Sequence, residues 1–401
     1  AVDSFTAPSI QANGVIGVDF SQQIPIDDFN LDVVLQSFDI RSLNRYLPAQ
    51  ATEYATLAGL TSFTGQLSGT LQAPQLQGNA SIKSLAVNQL LFETLSGPVA
   101  LTPTGTNVNL QGQQDQIQLI ADGPLQANLQ QQTWPELSFE VRNQDFVAKG
   151  SGEGRQLSAK VSQLPLNALN IRPVEQYGFD EVGGLLNARV DLDLASFANP
   201  IANGTLTVTD PTLNPVEADK FTATFVFADS TATLSQGELL LNNSRYLLTG
   251  SANLENAIDY QGQLTIAEGR IEDLIPIVQE LDLSSFSVQD SSDPLGNATD
   301  LATNPVGLPP NTTFLEKLES FVAFVQANPL KKSETGDIVI PELEELAGAF
   351  NGTIDVAGES LAIADLTANF NIQGESWTWG TYTAPNEFLL SGSIQENAFN
   401  I

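Results

Sequence analysis

GQLSGTLQAPQLQGNASI (Gly65–Ile82) carries a small or apolar residue at every second position, breaks at Ala73-Pro74, and then resumes. Gly65, Leu67, Gly69 and Leu71 share one face; Leu76, Gly78, Ala80 and Ile82 share the next. A period of two is the mark of a strand with one dry and one wet face. Proline cannot donate to a ladder, so Pro74 belongs where one strand ends and another begins.

The same grammar recurs along the chain. Leu186, Ala188, Val190, Leu192 and Leu194 alternate with Asn187, Arg189, Asp191 and Asp193. Leu206 and Val208 follow, then Phe221, Ala223, Phe225 and Phe227. Further on stand Leu248, Gly250, Ala252 and Leu254, and after them Tyr260, Gly262, Leu264 and Ile266. The last runs are Phe350, Gly352, Ile354 and Val356; Leu366, Ala368, Phe370 and Ile372; and Phe388, Leu390, Gly392 and Ile394. Gly, Pro or Asn clusters separate the runs, as in antiparallel meanders. Apolar-in, polar-out alternation predicts an all-β protein whose sheet has one face in water.

Helical text is short: SLNRYLP at 42–48, DLIPIVQEL at 273–281 and PELEELAGA at 341–349. The longest helix is expected after Asn311 or Thr312, with Phe314, Leu318, Phe321, Val322 and Val325 on one stripe. The organisation expected is strands over 1–289, a Pro/Ser/Asn-rich loop over 290–313, a helical insertion over 314–349 and further strands over 350–401.

Composition narrows the chemistry. The 401 residues contain no Cys, His or Met, which leaves no disulfide, no His-based acid–base catalysis and no ordinary zinc site. Without an initiator methionine, the chain is expected to be a piece of something longer, and no signal peptide is visible in it. Lys and Arg number 15 against 47 Asp and Glu, a net charge of −32. That balance argues against nucleic acid and suits solubility of an apolar, extended protein. Asp191 and Asp193 share a polar face but lack the further oxygen ligands of a calcium loop. No phosphate loop, dinucleotide fingerprint or nucleophile elbow is present, so neither enzyme activity nor a cofactor is expected.

The phrase GTLxxPxLxG, followed by KSLAVNQLLFETLSGPVAL and later by NALNIRPVEQYGFDEVGGLLNARVDLDLASFANPIANGTLTV, resembles the TamB-type translocation and assembly module family. That family is related to AsmA-like bridge lipid-transfer proteins, and the resemblance is to its cyanobacterial and chloroplast branch. It implies an elongated antiparallel sheet curled into an open, taco-like groove with a hydrophobic interior. It also implies phospholipid cargo, a periplasmic or chloroplast intermembrane location and an inner-membrane anchor outside this segment. A further implied partner is an outer-membrane β-barrel assembly protein of the BamA or TamA type, met through a part of the chain not present here.

On this reading Leu67, Leu71, Leu76, Ile82, Leu186, Val190, Leu192, Leu206, Val208, Phe221, Phe225, Phe227, Leu248, Leu254, Leu264, Ile266, Phe350, Ile354, Val356, Leu366, Phe370, Ile372, Phe388, Leu390 and Ile394 line the groove. Inward glycines make room between aromatic walls, and the Phe314–Val325 stripe plugs or covers part of it. The competing readings are two sheets packed on each other as plain core, or an acidic extracellular adhesin or carbohydrate-binding module.

Overall fold

The computed structural model describes residues 9–18, 26–42, 56–123, 133–169, 182–193, 200–213, 216–253, 259–280, 287–288, 345–360, 365–380, 382–383, 387–395 and 398–400. Two compact units emerge: Ala1–Arg172 with Val182–Thr209 and Val226–Asp229, and Pro173–Glu181 with Asp210–Phe225 and Ser230–Ile401.

The first unit contains β1 (Ser9–Val18), β2 (Ile26–Asp39), β3 (Leu57–Gly69), β4 (Pro74–Val87), β5 (Leu90–Leu91), β6 (Leu95–Thr102), β7 (Gly105–Gln111), β8 (Gln116–Asp122), β9 (Trp134–Asn143), β10 (Phe146–Gly154), β11 (Gln156–Pro165) and β12 (Val182–Asp193). Each long strand pairs antiparallel with the next, the meander that the turn residues predict. The two-residue β5 folds back on β4, and no pairing among the described strands closes β1 on β12. The sheet is therefore open.

β13 (Ile201–Leu213) and β15 (Lys220–Ala228) are divided between the units, and the second unit holds β14 (Val216–Glu217), β16 (Thr231–Leu241), β17 (Ser244–Asn253), β18 (Asp259–Arg270), α1 (Ile271–Glu280), β19 (Ser287–Val288), β20 (Leu346–Gly358), β21 (Thr367–Trp379), β22 (Tyr382–Thr383), β23 (Phe388–Gln395) and β24 (Ala398–Asn400). Its ladder runs antiparallel through β16, β17, β18, β20, β21, β23 and β24.

The expected helix at 341–349 is corrected in part. From Leu346 onward the chain is strand, with Leu346 opposite Trp379 and Ala347 opposite Thr378. The ladder offered by β21 overrides the helical propensity of these residues. The helix read from 273 begins two residues earlier, at Ile271. Residues 43–48 and the whole 290–344 stretch, including the Phe314–Val325 stripe, lie outside the described residues.

The first sheet is rolled toward its apolar face at one end. Asn88 Nδ2, in the turn after β4, donates to the carbonyl of Ala168 at 2.9 Å. Asn143 Nδ2, at the end of β9, donates to the carbonyl of Leu91 at 2.9 Å. Six strand spacings separate β4 from β11, about 29 Å in a flat sheet, so the sheet must curve to close that gap. Inside the curve Ile40, Leu85, Phe92, Leu95 and Leu110 form a buried cluster. Leu90 packs against it and also against a second cluster of Phe146, Leu164 and Ala168.

The curvature has a local cause. Register slips by one residue between Leu35 and Phe38, at Ser84 opposite Gly59, and between Val161 and Leu164. At each slip a non-glycine residue takes a left-handed backbone: Ser37, Ser84 and Gln163, with φ of 55°, 51° and 54°. Such bulges add one unpaired residue, bend the strand and raise its twist. Gln236 and Ser376 do the same in the second sheet, with φ of 51° and 55°.

Glycine pairing lets strands approach closely at the middle of the sheet. Gly65 faces Gly78, and a Cβ added at either would sit 2.6 Å from the other's Cα. The ring of Phe63 lies over both, its Cζ 2.6 and 2.7 Å from those positions.

Candidate functional site

Register assembles the alternating residues into rows that cross the first sheet. One row reads Ala12, Val33, Gly65, Gly78, Val99, Val108, Leu119, Phe139, Gly150, Ala159, Val190, each directly opposite the next. It crosses eleven strands without one polar side chain, roughly 48 Å of sheet. From Val33 to Val190 every member is half-buried. In a closed sandwich these central positions would be packed away against a facing sheet. Beside it runs Leu31, Leu67, Leu76, Leu101, Thr106, Ala121, Leu137, Gly152, Leu157, Leu192. Here Thr106 and Ala121 are buried and the rest are half-buried.

The second unit repeats the arrangement. Leu248, Leu264, Ile354 and Phe370 stand opposite one another across β17, β18, β20 and β21, and Tyr246, Ile266, Gly352 and Ile372 form the adjoining row. One end is packed: Leu241, Tyr246, Ile266 and Phe350 form a buried cluster against which Leu274 of α1 rests. α1 is pinned there by its first turn. Asp273 accepts from Ser244 Oγ at 2.7 Å and from the Asn243 amide at 3.1 Å, and Glu272 accepts from the Gly348 amide at 3.1 Å. Burial raises the Tyr246 phenol above its usual value.

In the first unit the packed end is tied by Asp115, which is 4% exposed. Its carboxylate accepts from the Glu93 amide at 2.7 Å, the Gln144 amide at 3.2 Å and Asn143 Nδ2 at 3.3 Å. Among the described residues, each unit thus has an apolar face that is capped at one end and uncapped over its middle rows.

The residues named from sequence distribute unevenly over these faces. Leu67, Leu76, Ile82, Leu186, Val190, Leu192, Leu206, Phe221, Phe225, Phe227, Leu248, Leu264, Ile354, Val356, Leu366, Ile372 and Ile394 are half-buried. Val208, Ile266, Phe350 and Phe370 are buried, and so belong to packed parts. Leu71 is corrected: it lies in the bend between β3 and β4, 44% exposed. The strand ends at Gly69, whose φ is 102°, and the Ala73 amide closes a turn on Thr70. Leu390 is 37% exposed opposite Ile372. Phe388 opens β23 opposite Gly374, and Leu254 lies outside the described residues.

The expectation that inward glycines leave room between aromatic walls is corrected at Gly65 and Gly78, whereas backbone and Val356, not a ring, stand nearest Gly250 and Gly262. Phe63 lies over Gly65 and Gly78, as Phe139 lies against Gly150 and Phe350 against Gly269. The sequence reading missed Val33, Val99, Val108, Leu119 and Phe139. Their own strands alternate just as visibly, in VALT, GTNVNLQ and QIQLIAD.

The hydrated reverse face has relief of its own. Hollows of about 530 and 430 Å³ open on it in the first unit and one of about 640 Å³ in the second. The last is lined by Thr249, Ser251, Gln261, Gln263 and Asp355 among others. A twisted sheet is saddle-shaped, hence concave along one diagonal on each face. Asp191 takes a hydrogen bond from Ser158 at 2.5 Å. Among the described residues no group of three or more acidic side chains could hold a metal, and no helix is long and apolar enough to cross a membrane.

Comparison with known proteins adds two relatives. The chain is 23% identical over 371 residues to the protein SUBSTANDARD STARCH GRAIN 4, chloroplastic, of Oryza sativa subsp. japonica, covering 83% of this chain. It is 23% identical over 382 residues to the protein TIC236, chloroplastic, of Arabidopsis thaliana, covering 80% of this chain. The chain spans only 17% and 16% of those relatives' lengths. No protein-family profile matches it, and no solved structure does. What joins this open, all-β chain to known proteins is thus a distant similarity to segments of two long chloroplast proteins.

Proposed function

We propose that this chain is a segment of a TamB-like, bridge-type envelope protein, and that its apolar face shelters phospholipid acyl chains in transit between two membranes. The observation that carries this reading is the row from Val33 to Val190: apolar throughout, in register, and half-buried at every step. A methylene left in water costs about 0.8 kcal/mol, so two ordinary acyl chains cost on the order of 20 kcal/mol. A continuous apolar strip removes that barrier without any catalytic group. Headgroups stay in solvent at the open side, where a net charge of −32 does not oppose tail binding.

The similarity to two chloroplast proteins supports an envelope location, in the chloroplast or in a bacterial periplasm. A role beside protein translocation, an inner-membrane anchor and a β-barrel partner belong to the same reading. Lipid extraction of the chain purified without detergent, followed by mass spectrometry, tests the cargo. Co-purified phospholipid at about one molecule per chain or more is expected from a strip this long. Chain recovered free of lipid, and unable to take lipid up from vesicles, would count against the reading.

A further inference from the structure

Among the described residues, a cluster of like charge lies on the hydrated face, across the sheet from the apolar rows. In a chain with 15 basic and 47 acidic residues, three bases stand side by side on three successive strands. Lys149 of β10 is directly opposite Lys160 of β11, and Lys160 is directly opposite Arg189 of β12. All three are exposed. Like charges at directly opposed positions destabilise a sheet, and an acidic protein has ample carboxylates with which to relieve them.

Two carboxylates, Glu140 and Asp191, line the same hollow, each with a partner other than the three bases. Glu140, opposite Lys149, forms its ion pair with Arg142 on its own strand at 2.8 Å. Asp191, two residues from Arg189, accepts from Ser158. Among the described residues none of the three bases holds an ion pair.

Alongside the cation row, one pleat away, runs a row of hydroxyls: Ser138, Ser151 and Ser158 stand opposite one another on β9, β10 and β11. Both rows line the hollow of about 530 Å³, a volume in the range that holds a small organic ligand. Three cations that share a recess with neutral donors, and that outnumber its two carboxylates, Glu140 and Asp191, suit a phosphate group.

We propose that this hollow is a binding site for a phosphate-bearing anion, held by Lys149, Lys160 and Arg189 with the Ser138 and Ser151 hydroxyls as neutral donors. The phosphate could belong to a soluble ester or to an anionic lipid headgroup at a bilayer surface. The site is on the opposite face from the proposed lipid track and stands independently of it.

The test uses the full chain at physiological ionic strength, where the Debye length of about 8 Å screens the distant acidic charge but not the cluster. Pyrophosphate binding is followed by calorimetry. Sedimentation with phosphatidylcholine vesicles, with and without phosphatidylglycerol, reads the headgroup source. Binding of pyrophosphate, weakened about tenfold or more in K160Q and in R189Q, supports a soluble phosphate ligand. Retention only on vesicles containing phosphatidylglycerol, lost in the same variants, supports a headgroup. Both variants replace exposed side chains, and without ligand their denaturation midpoints are expected to equal or exceed that of the parent, because repulsion is relieved. Absence of binding to either probe, or binding that the two variants leave unchanged, would overturn the assignment.

Discussion

Leu95→Asp is expected to unfold the first unit, whereas Leu67→Asp leaves it folded and strips the apolar face of lipid. The two leucines share a chemistry and differ in surroundings. Leu95 is 0% exposed within the cluster of Ile40, Leu85, Phe92 and Leu110. A carboxylate there has no donor to meet and costs about 4 kcal/mol or more, a large part of a domain's stability. Leu67 stands half-buried between Leu31 and Leu76 in a row that is uncapped among the described residues. A carboxylate at that point reaches water, so the stability lost is about 1–2 kcal/mol, the transfer energy of part of one leucine. For an acyl chain sliding along the row, however, it is a hydrated charge in the path. Urea unfolding followed by circular dichroism, run beside a vesicle-to-vesicle lipid transfer assay, separates the two effects. Equal losses of stability at the two positions would mean that the face is ordinary closed core.

The second large effect is expected at Asp115. Its carboxylate gathers the Glu93 amide from the β5–β6 connection and the Gln144 amide and Asn143 Nδ2 from the β9–β10 turn. Alanine at that position takes the acceptor from one buried donor, Asn143 Nδ2, and from two part-buried backbone amides, for a total loss of about 3–5 kcal/mol. Asparagine retains one acceptor oxygen and is expected to fall between. Because the Asn143 amide also holds the carbonyl of Leu91, Asp115→Ala frees the β4–β5 hairpin from the end of the roll. Hydrogen exchange should then accelerate at Glu93 and Gln144 before the rest of the sheet. A loss below about 1 kcal/mol, as for an exposed substitution, would show that the cap does not hold the curve.

Much of this architecture was legible in the alternation. A strand that reads GQLSG declares which side chains share a face, and the Pro-bearing break at Ala73-Pro74 declares a new strand. That is enough for an antiparallel sheet with one dry face, whereas the open groove was implied by the family resemblance alone. Register is another matter: that Gly65 meets Gly78, or that Lys149, Lys160 and Arg189 form one row, depends on turn lengths and bulges. The bulges carry no signature, because Ser37, Ser84 and Gln163 adopt a left-handed backbone for which sequence would have nominated glycine or asparagine. The caps were hidden for a similar reason. Asp115 sits in an ordinary polar turn, GQQDQ, and only the roll of the sheet brings three donors to it. Leu71 shows the converse error, in which alternation was followed two residues past the end of the strand.

The measurement closest to the core of the account is photo-crosslinking with a benzophenone amino acid placed at Leu67 or at Gln66, in chain loaded with phospholipid. These adjacent positions point to opposite faces of β3. Lipid adducts from position 67 and none from 66 are predicted. Adducts absent from 67, or equal at the two positions, would contradict the claim that the uncapped apolar face is where lipid is held.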